Sequence, residues 1–159
     1  MHAVIQRVIS ATVKVNNQKI SSISQGYFII SASRRLKFLY LLEDDTIGDV
    51  ENLTETILKL RLFNDIKDGK NGAKILKTLG EKFYAAMSQF TLQAKLKKFK
   101  PDFHMAAKTE EAKELYIRIL EKLRQGLGDD KIKDGIFGAM MEVQLINDGP
   151  VTINYDTKS

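Results

Sequence analysis

The chain opens on a strand pattern. Val4, Gln6, Val8 and Ser10 alternate with Ile5, Arg7 and Ile9, and Thr12 to Val15 continues in largely β-branched residues, the period of two that a pleated strand imposes. Asn16-Asn17 is a turn signal, and Lys19 to Ser24 then forms a second short strand. Gly26 breaks the pattern before a third, Tyr27-Phe28-Ile29-Ile30. The simplest reading of these thirty residues is an antiparallel meander. Residues 33–45 run from basic (Arg34-Arg35) through apolar (Phe38 to Leu42) to acidic (Glu43-Asp44-Asp45). Either a strand extension or a short amphipathic helix fits them, as a buried structural segment or a membrane-surface one.

The period then changes to that of a helix. Asp49 is a candidate cap for a helix carrying Val50, Leu53, Ile57 and Leu60 at helical spacing. Leu60 to Phe63 leads into a polar, glycine-bearing loop, Asn64 through Gly72. Phe83 to Leu92 reads as an apolar strand, and Lys95 to Lys100 as an exposed basic segment. Thr109 stands as an N-cap with Glu110 and Glu111 in the first turn, where the helix dipole favours them. Ala112, Leu115, Tyr116, Ile119, Leu120 and Leu123 make one apolar stripe, which Gly126 or Gly128 ends. Strand pattern returns from Met140 to Ile146 and from Val151 to Tyr155, with Asn147-Asp148-Gly149-Pro150 between. No repeat or linker appears. The expectation is one α/β domain over residues 1–159, mostly antiparallel sheet with two main helices.

Composition narrows the chemistry. A length of 159 residues suffices for a real core, and 43% hydrophobic with 28% charged residues is ordinary for a globular domain. There is no cysteine, which removes disulfides and thiolate chemistry. The opening residues lack a basic stretch followed by a long apolar run, and no apolar run approaches the roughly 20 residues that span a bilayer. A cytosolic location, with no membrane partner, is the default expectation. The net charge of +5 favours a polyanionic partner, with nucleic acid first.

Metal chemistry has little to work with. His2 and His104 are the only imidazoles, so a closed zinc site is implausible. Acidic pairs such as Asp44-Asp45 and Asp129-Asp130 ordinarily sit solvated. No metal or cofactor is expected. Ser88 and Thr91 are hydroxyls at the end of an apolar strand, but neither histidine has a nucleophile-elbow context, and satisfying backbone groups is the simpler role for both hydroxyls. Lys95, Lys97, Lys98 and Lys100 supply phosphate point charges, and Phe99 or Phe103 could stack on a base. A solvated loop fits the same residues.

Three segments together resemble the D-aminoacyl-tRNA deacylase family, also called D-Tyr-tRNA deacylases: Ser88-Gln89-Phe90-Thr91-Leu92, Lys100-Pro101-Asp102-Phe103-His104, and Asn147-Asp148-Gly149-Pro150-Val151-Thr152. Ala3 to Val8, Leu60 to Phe63 and Phe137 to Met141 support them in order and spacing, so the resemblance covers nearly the whole chain. It implies the family's barrel-like fold and a homodimer whose active sites lie at the subunit interface. It implies hydrolysis of the ester joining a D-amino acid to tRNA, and of glycine mischarged to a non-cognate tRNA. The catalytic segment would be Ser88, Gln89, Phe90 and Thr91. A cis Gly149-Pro150 from the partner chain would turn its carbonyl oxygens to the substrate's amino group and exclude L side chains. Phe137 and Met141 would help form the adenosine pocket, core packing being the other role open to each. Lys95, Lys97, Lys98 and Lys100 would meet the tRNA acceptor stem. The resemblance further implies that the ribose 2′-hydroxyl assists, with no essential side-chain base; the expectation drawn from this is that backbone amides around Gln89 and Phe90 polarise the ester while water attacks.

The sequence departs from the family pattern where Phe99 replaces a glycine after the lysine of the basic loop, where residues 31–46 are longer and more apolar, and where Lys59 replaces an asparagine. Two other classes remain: an RNA-binding protein without turnover, and a small-molecule esterase with no nucleic-acid partner.

Overall fold

The computed structural model describes residues 1–35, 44–63 and 83–159. The Asn64–Gly72 loop and most of the basic-to-apolar segment, from residue 36 to residue 43, lie outside the described residues.

Strand β1 (His2–Val15) organises the sheet. Its second half pairs antiparallel with β2 (Gln18–Ile23), and its first half pairs antiparallel with β3 (Gly26–Ala32). A long strand, β8 (Glu142–Asp156), lies antiparallel along nearly the whole of β1. Since β8 occupies one side of β1, β2 and β3 share the other and run along it in the same direction. The first thirty residues are therefore one long hairpin broken at Ser24-Gln25, where a three-strand meander was expected. A meander would bring β3 back against β2; the chain instead carries straight on past Gly26. Beyond β3 the sheet continues in parallel with β4 (Phe83–Ser88) and then β7 (Ile132–Asp134). A separate two-stranded ribbon joins β5 (Lys95–Lys97) to β6 (Lys100–Asp102).

Helix α1 (Ile47–Lys59) starts on Thr46, whose backbone N–H donates to the Asp49 carboxylate at 2.8 Å. Asp49 is thus the reciprocal residue of a capping box, with Thr46 in the cap position that local pattern gave to Asp49. Helix α2 (Thr109–Leu127) is capped by Lys108, one residue before the expected Thr109, and stops at Gly128, whose φ of 100° suits a residue without a Cβ.

The sheet is buried on both faces. Against one face pack Val50, Leu53 and Ile57 of α1 and Tyr116, Ile119, Leu120 and Leu123 of α2, meeting Ala3, Ile5, Tyr27, Ile29 and Tyr84. On the other face Val8, Val13, Phe28, Ala85 and Met87 form a second cluster as the sheet curls toward a barrel. β3 serves both clusters: Tyr27 and Ile29 face the helices, Phe28 and Ile30 the opposite side. Burial of these side chains from water is the main stabilising term, at about 25 cal/mol per Å² of apolar surface.

Two further expectations are corrected. Phe83 to Leu92 is not strand throughout, because β4 ends at Ser88 and a single 3-10 turn, Phe90–Gln93, follows. Met140–Ile146 and Val151–Tyr155 are not two strands joined by a turn. Both stretches pair with β1 in the same antiparallel sense, so the chain never reverses. Arg7 pairs with Val151 and Val8 with Asn147, leaving Asp148, Gly149 and Pro150 extruded as a bulge.

Candidate active site

A cavity of about 1040 Å³ opens beside Phe28, Ile30 and Met87 of the sheet, with Thr109 and Ala112 at the start of α2 also lining it. Its floor is Phe28, Ile30 and Met87, its rim carries Ser88, Gln89, Phe90 and Thr91, and its opposite wall runs from Phe137 to Met141. The structure thus brings together the four residues named as catalytic and both residues named for the adenosine pocket. The volume lies at the upper end of the range for small-molecule sites, and the mostly apolar lining suits a base or an aromatic side chain.

The rim is held by bonds to main-chain carbonyls. The Gln89 amide donates to the Ser31 carbonyl at 2.8 Å, continuing the β3–β4 pairing one residue past the strand end. The buried Gln93 side chain donates to the Ala32 carbonyl at 3.1 Å, and a His2 ring nitrogen lies 3.2 Å from the Leu92 carbonyl. The Gln89 amide is therefore committed to the sheet. Phe90 and Thr91 open the 3-10 turn, and the first amides of such a turn have no carbonyl within it to bond. Phe90 is half exposed and meets Phe103 edge to face, ring centroids 5.1 Å apart, at the cavity mouth.

Gly149-Pro150 is cis, with Gly149 at φ 129°, but among the described residues none of Asn147 to Pro150 lines this cavity. The segment is held by Arg7. Its Nε donates to the Asp148 carbonyl at 3.1 Å and lies 3.2 Å from the Asp148 carboxylate, Nη1 donates to the Leu62 carbonyl, and the guanidinium sits 5.7 Å from the centre of the Phe63 ring. Gln25 adds a hydrogen bond to Asp148 at 3.2 Å. The period-two pattern places Arg7 in the first strand but assigns it no role. A signal was present: Ala3 and Ile5 are buried at the same parity, and an arginine in step with core positions requires a partner.

The ribbon β5–β6 carries Lys95, Lys97, Lys98 and Lys100, all exposed, and leads through Phe103 to the cavity mouth. Asp102 closes it, bonded by Lys97 at 2.5 Å and by the His104 ring at 2.6 Å. These hydrogen bonds, Lys97 first, hold the Asp102 carboxyl well below the usual carboxylate range. Lys98 and Phe99 form the two-residue turn, at φ 47° and 67°.

Among the described residues no group of three or more His, Cys, Asp or Glu stands where it could hold a metal ion, and no helix is long and apolar enough to cross a membrane. A cavity large enough for a nucleoside with its aminoacyl group, and a basic ribbon beside it, suit an enzyme acting on an RNA-linked substrate. A family model described as D-Tyr-tRNA(Tyr) deacylase matches residues 4–156. D-aminoacyl-tRNA deacylases of Schizosaccharomyces pombe and Drosophila melanogaster are 48% and 45% identical, over 99% of this chain in both cases and 99% and 92% of theirs. The chain belongs to the D-Tyr-tRNA deacylase family. Among solved structures, one described as c-Myc DNA Unwinding Element Binding Protein is 40% identical with a TM-score of 0.88, covering 98% of both chains. Another, a probable eukaryotic D-amino acid tRNA deacylase, has a TM-score of 0.83 at 16% identity over 97% of both, and shows the fold alone.

Proposed function

We propose that this protein carries out its family's reaction through main-chain groups: water adds to the ester carbonyl of D-aminoacyl-tRNA, the bond to the ribose oxygen breaks, and that oxygen takes a proton. The products are the free D-amino acid and tRNA. The observation that carries the reading is the corner at Ser88–Gln93, tied to β3 through Gln89 and Gln93, whose Phe90 and Thr91 line a cavity large enough for a nucleoside and its aminoacyl group. Two oriented N–H groups stabilise an oxyanion without reorganising, and an aminoacyl ester is reactive enough that positioning supplies much of the rest. With the Gln89 amide engaged, the polarising pair is Phe90 and Thr91 in this proposal. The ribose 2′-hydroxyl assists attack, and Ser88 and Thr91 shape the pocket without being acylated. Among the described residues the His104 ring bonds Asp102 and has no hydroxyl nucleophile as a hydrogen-bond partner.

Chiral selection requires a second copy. Gly149-Pro150 lies outside its own chain's cavity, so in a homodimer the second copy's bulge forms the wall that an L side chain would strike. Glycine, with no side chain, passes the same wall, which extends the substrate range to mischarged glycyl-tRNA. Lys95, Lys97, Lys98 and Lys100 contact tRNA phosphates.

A second reading, nucleic-acid binding without turnover, draws on the basic ribbon and on the relative described as binding a DNA unwinding element. Deacylation of paired D-Tyr-tRNA and L-Tyr-tRNA, with and without a chelator, separates the two. Rapid loss of the D-ester alone, indifferent to chelator, is the expected result. Survival of both esters alongside retained tRNA binding would transfer the case to the second reading.

A further inference from the structure

The turn at Lys98-Phe99 is built against local preference. Both residues have positive φ, as a two-residue hairpin of the type that matches strand twist requires. The same geometry recurs at Asn16 and Asn17, φ 50° and 63°, between β1 and β2. There asparagine fills it, one of the few residues with a Cβ that visits this region readily. A phenylalanine at φ 67° is strained, and strain of this kind persists where something other than the turn maintains it. Folding gains nothing from the ring, because Phe99 is 100% exposed.

The rest of the ribbon is equally bare. Every residue from Lys95 to Pro101 is exposed. The pairing register sets Lys95, Lys97, Lys100 and Asp102 on one face and Leu96 with Pro101 on the other. Leu96 is 76% exposed. Four lysines stand against a single carboxylate, and that carboxylate is bonded by Lys97 and His104. A flat aromatic face amid cations, with the ribbon's one carboxylate already bonded, matches an unpaired nucleotide: the ring stacks on the base and the lysines hold the phosphates. The ribbon starts at the cavity mouth, and three strand residues carry Phe99 about 10 Å beyond it. That places it beside a substrate end already seated in the cavity.

We propose that Phe99 stacks on an unpaired base of the tRNA's 3′ end, adjacent to the nucleotide held in the cavity. The proposal rests on the tRNA-substrate reading above.

The test is binding of uncharged tRNA, intact and trimmed of its unpaired 3′ nucleotides, to wild type, F99G and F99W. Glycine suits the turn better than phenylalanine, so F99G folds at least as well. The expected result is that F99G binds intact tRNA about 10-fold more weakly, with an unchanged salt slope because no charge is removed. F99W should bind like wild type, and F99G and wild type should bind trimmed tRNA equally. Equal binding of intact tRNA by F99G and wild type would overturn the proposal. So would an equal loss on trimmed tRNA, which moves the contact to the duplex. A change in oligomeric state in F99G would overturn it in favour of a second copy as the ring's partner. Hydrolysis is not read, so a protein inert toward D-Tyr-tRNA that still shows the F99G loss would refute the catalytic reading and leave this one standing.

Discussion

Ser88–Gln93 and Asp148–Pro150 both sit where a strand loses its regular pairing, yet they are secured by opposite means. The first is bound to β3 through the Gln89 amide and the buried Gln93 side chain, and it lines the cavity of its own chain. The second is extruded from β8, has no ladder partners, and depends on the guanidinium of Arg7 and on Gln25. A segment secured by a backbone amide and a buried side chain tolerates changes to its exposed side chains. A segment secured by an arginine fails when that side chain is lost.

The sharpest way to break this comparison is Arg7→Ala. Removing one partner of a half-buried, hydrogen-bonded charge pair costs about 2–3 kcal/mol, and if that order is needed for the chirality wall, kcat/KM on the D-ester falls about 100-fold. Activity within threefold of wild type would mean that the bulge holds itself. Gly149→Ala acts on the same segment through the backbone. At φ 129° an added Cβ meets the Val151 nitrogen at 3.0 Å, strain of about 1–3 kcal/mol. Turnover of the D-ester should fall about 10-fold, with the ratio of D- to L-ester hydrolysis as the decisive readout. A ratio equal to that of wild type would separate this bulge from selection.

Thr91→Ala probes the other segment and, on the proposed main-chain route, should change single-turnover rates by less than about threefold. A trapped acyl-Thr91 intermediate would overturn that account. The smallest effect on turnover belongs to Asp49→Asn, far from both segments. Burial alone would raise the Asp49 carboxyl, but hydrogen bonds from Thr157, the Thr46 backbone and Lys158 outweigh it and hold it well below the carboxylate range. A group whose folded pKa is depressed stabilises the protein above its unfolded value, about 3.9, and that contribution is lost as pH falls through the folded value. Urea unfolding should therefore show wild type weakening steadily below about pH 4. The asparagine variant should be about 1–3 kcal/mol less stable at pH 7, flatter in acid, and unchanged in D-to-L preference.

Much of this was legible from local pattern. The stripe at Tyr116, Ile119, Leu120 and Leu123 gave α2, and the run to Ser88 gave β4. The resemblance pointed to the corner and wall residues that line the cavity. The misreadings have a common source. Gly26 and Asn147–Pro150 are turn signals, and residue preference says that a chain deviates there without saying whether it reverses. The β1 strand, 14 residues long, decides that by offering partners on both sides of each break. Arg7 went unassigned because its significance lies in Asp148 and Leu62, 141 and 55 residues away.

Residue order alone was enough for the two helices and the long strands, the positive charge of the basic segment, and the motifs that mark the family, but not for the 3-10 turn at Phe90–Gln93, the β5–β6 pairing or β7. What was legible depends on neighbours within a turn or two, where side-chain periodicity and φ preferences act directly. Pairing across the sheet added the hairpin that passes for a meander, the extrusion of Asp148–Pro150, the commitment of the Gln89 amide to Ser31, and the separation of Gly149-Pro150 from the cavity it is expected to complete. Each depends on which distant backbone groups satisfy one another, and hydrogen-bond satisfaction is a property of the assembled sheet, which no local stretch of the chain contains.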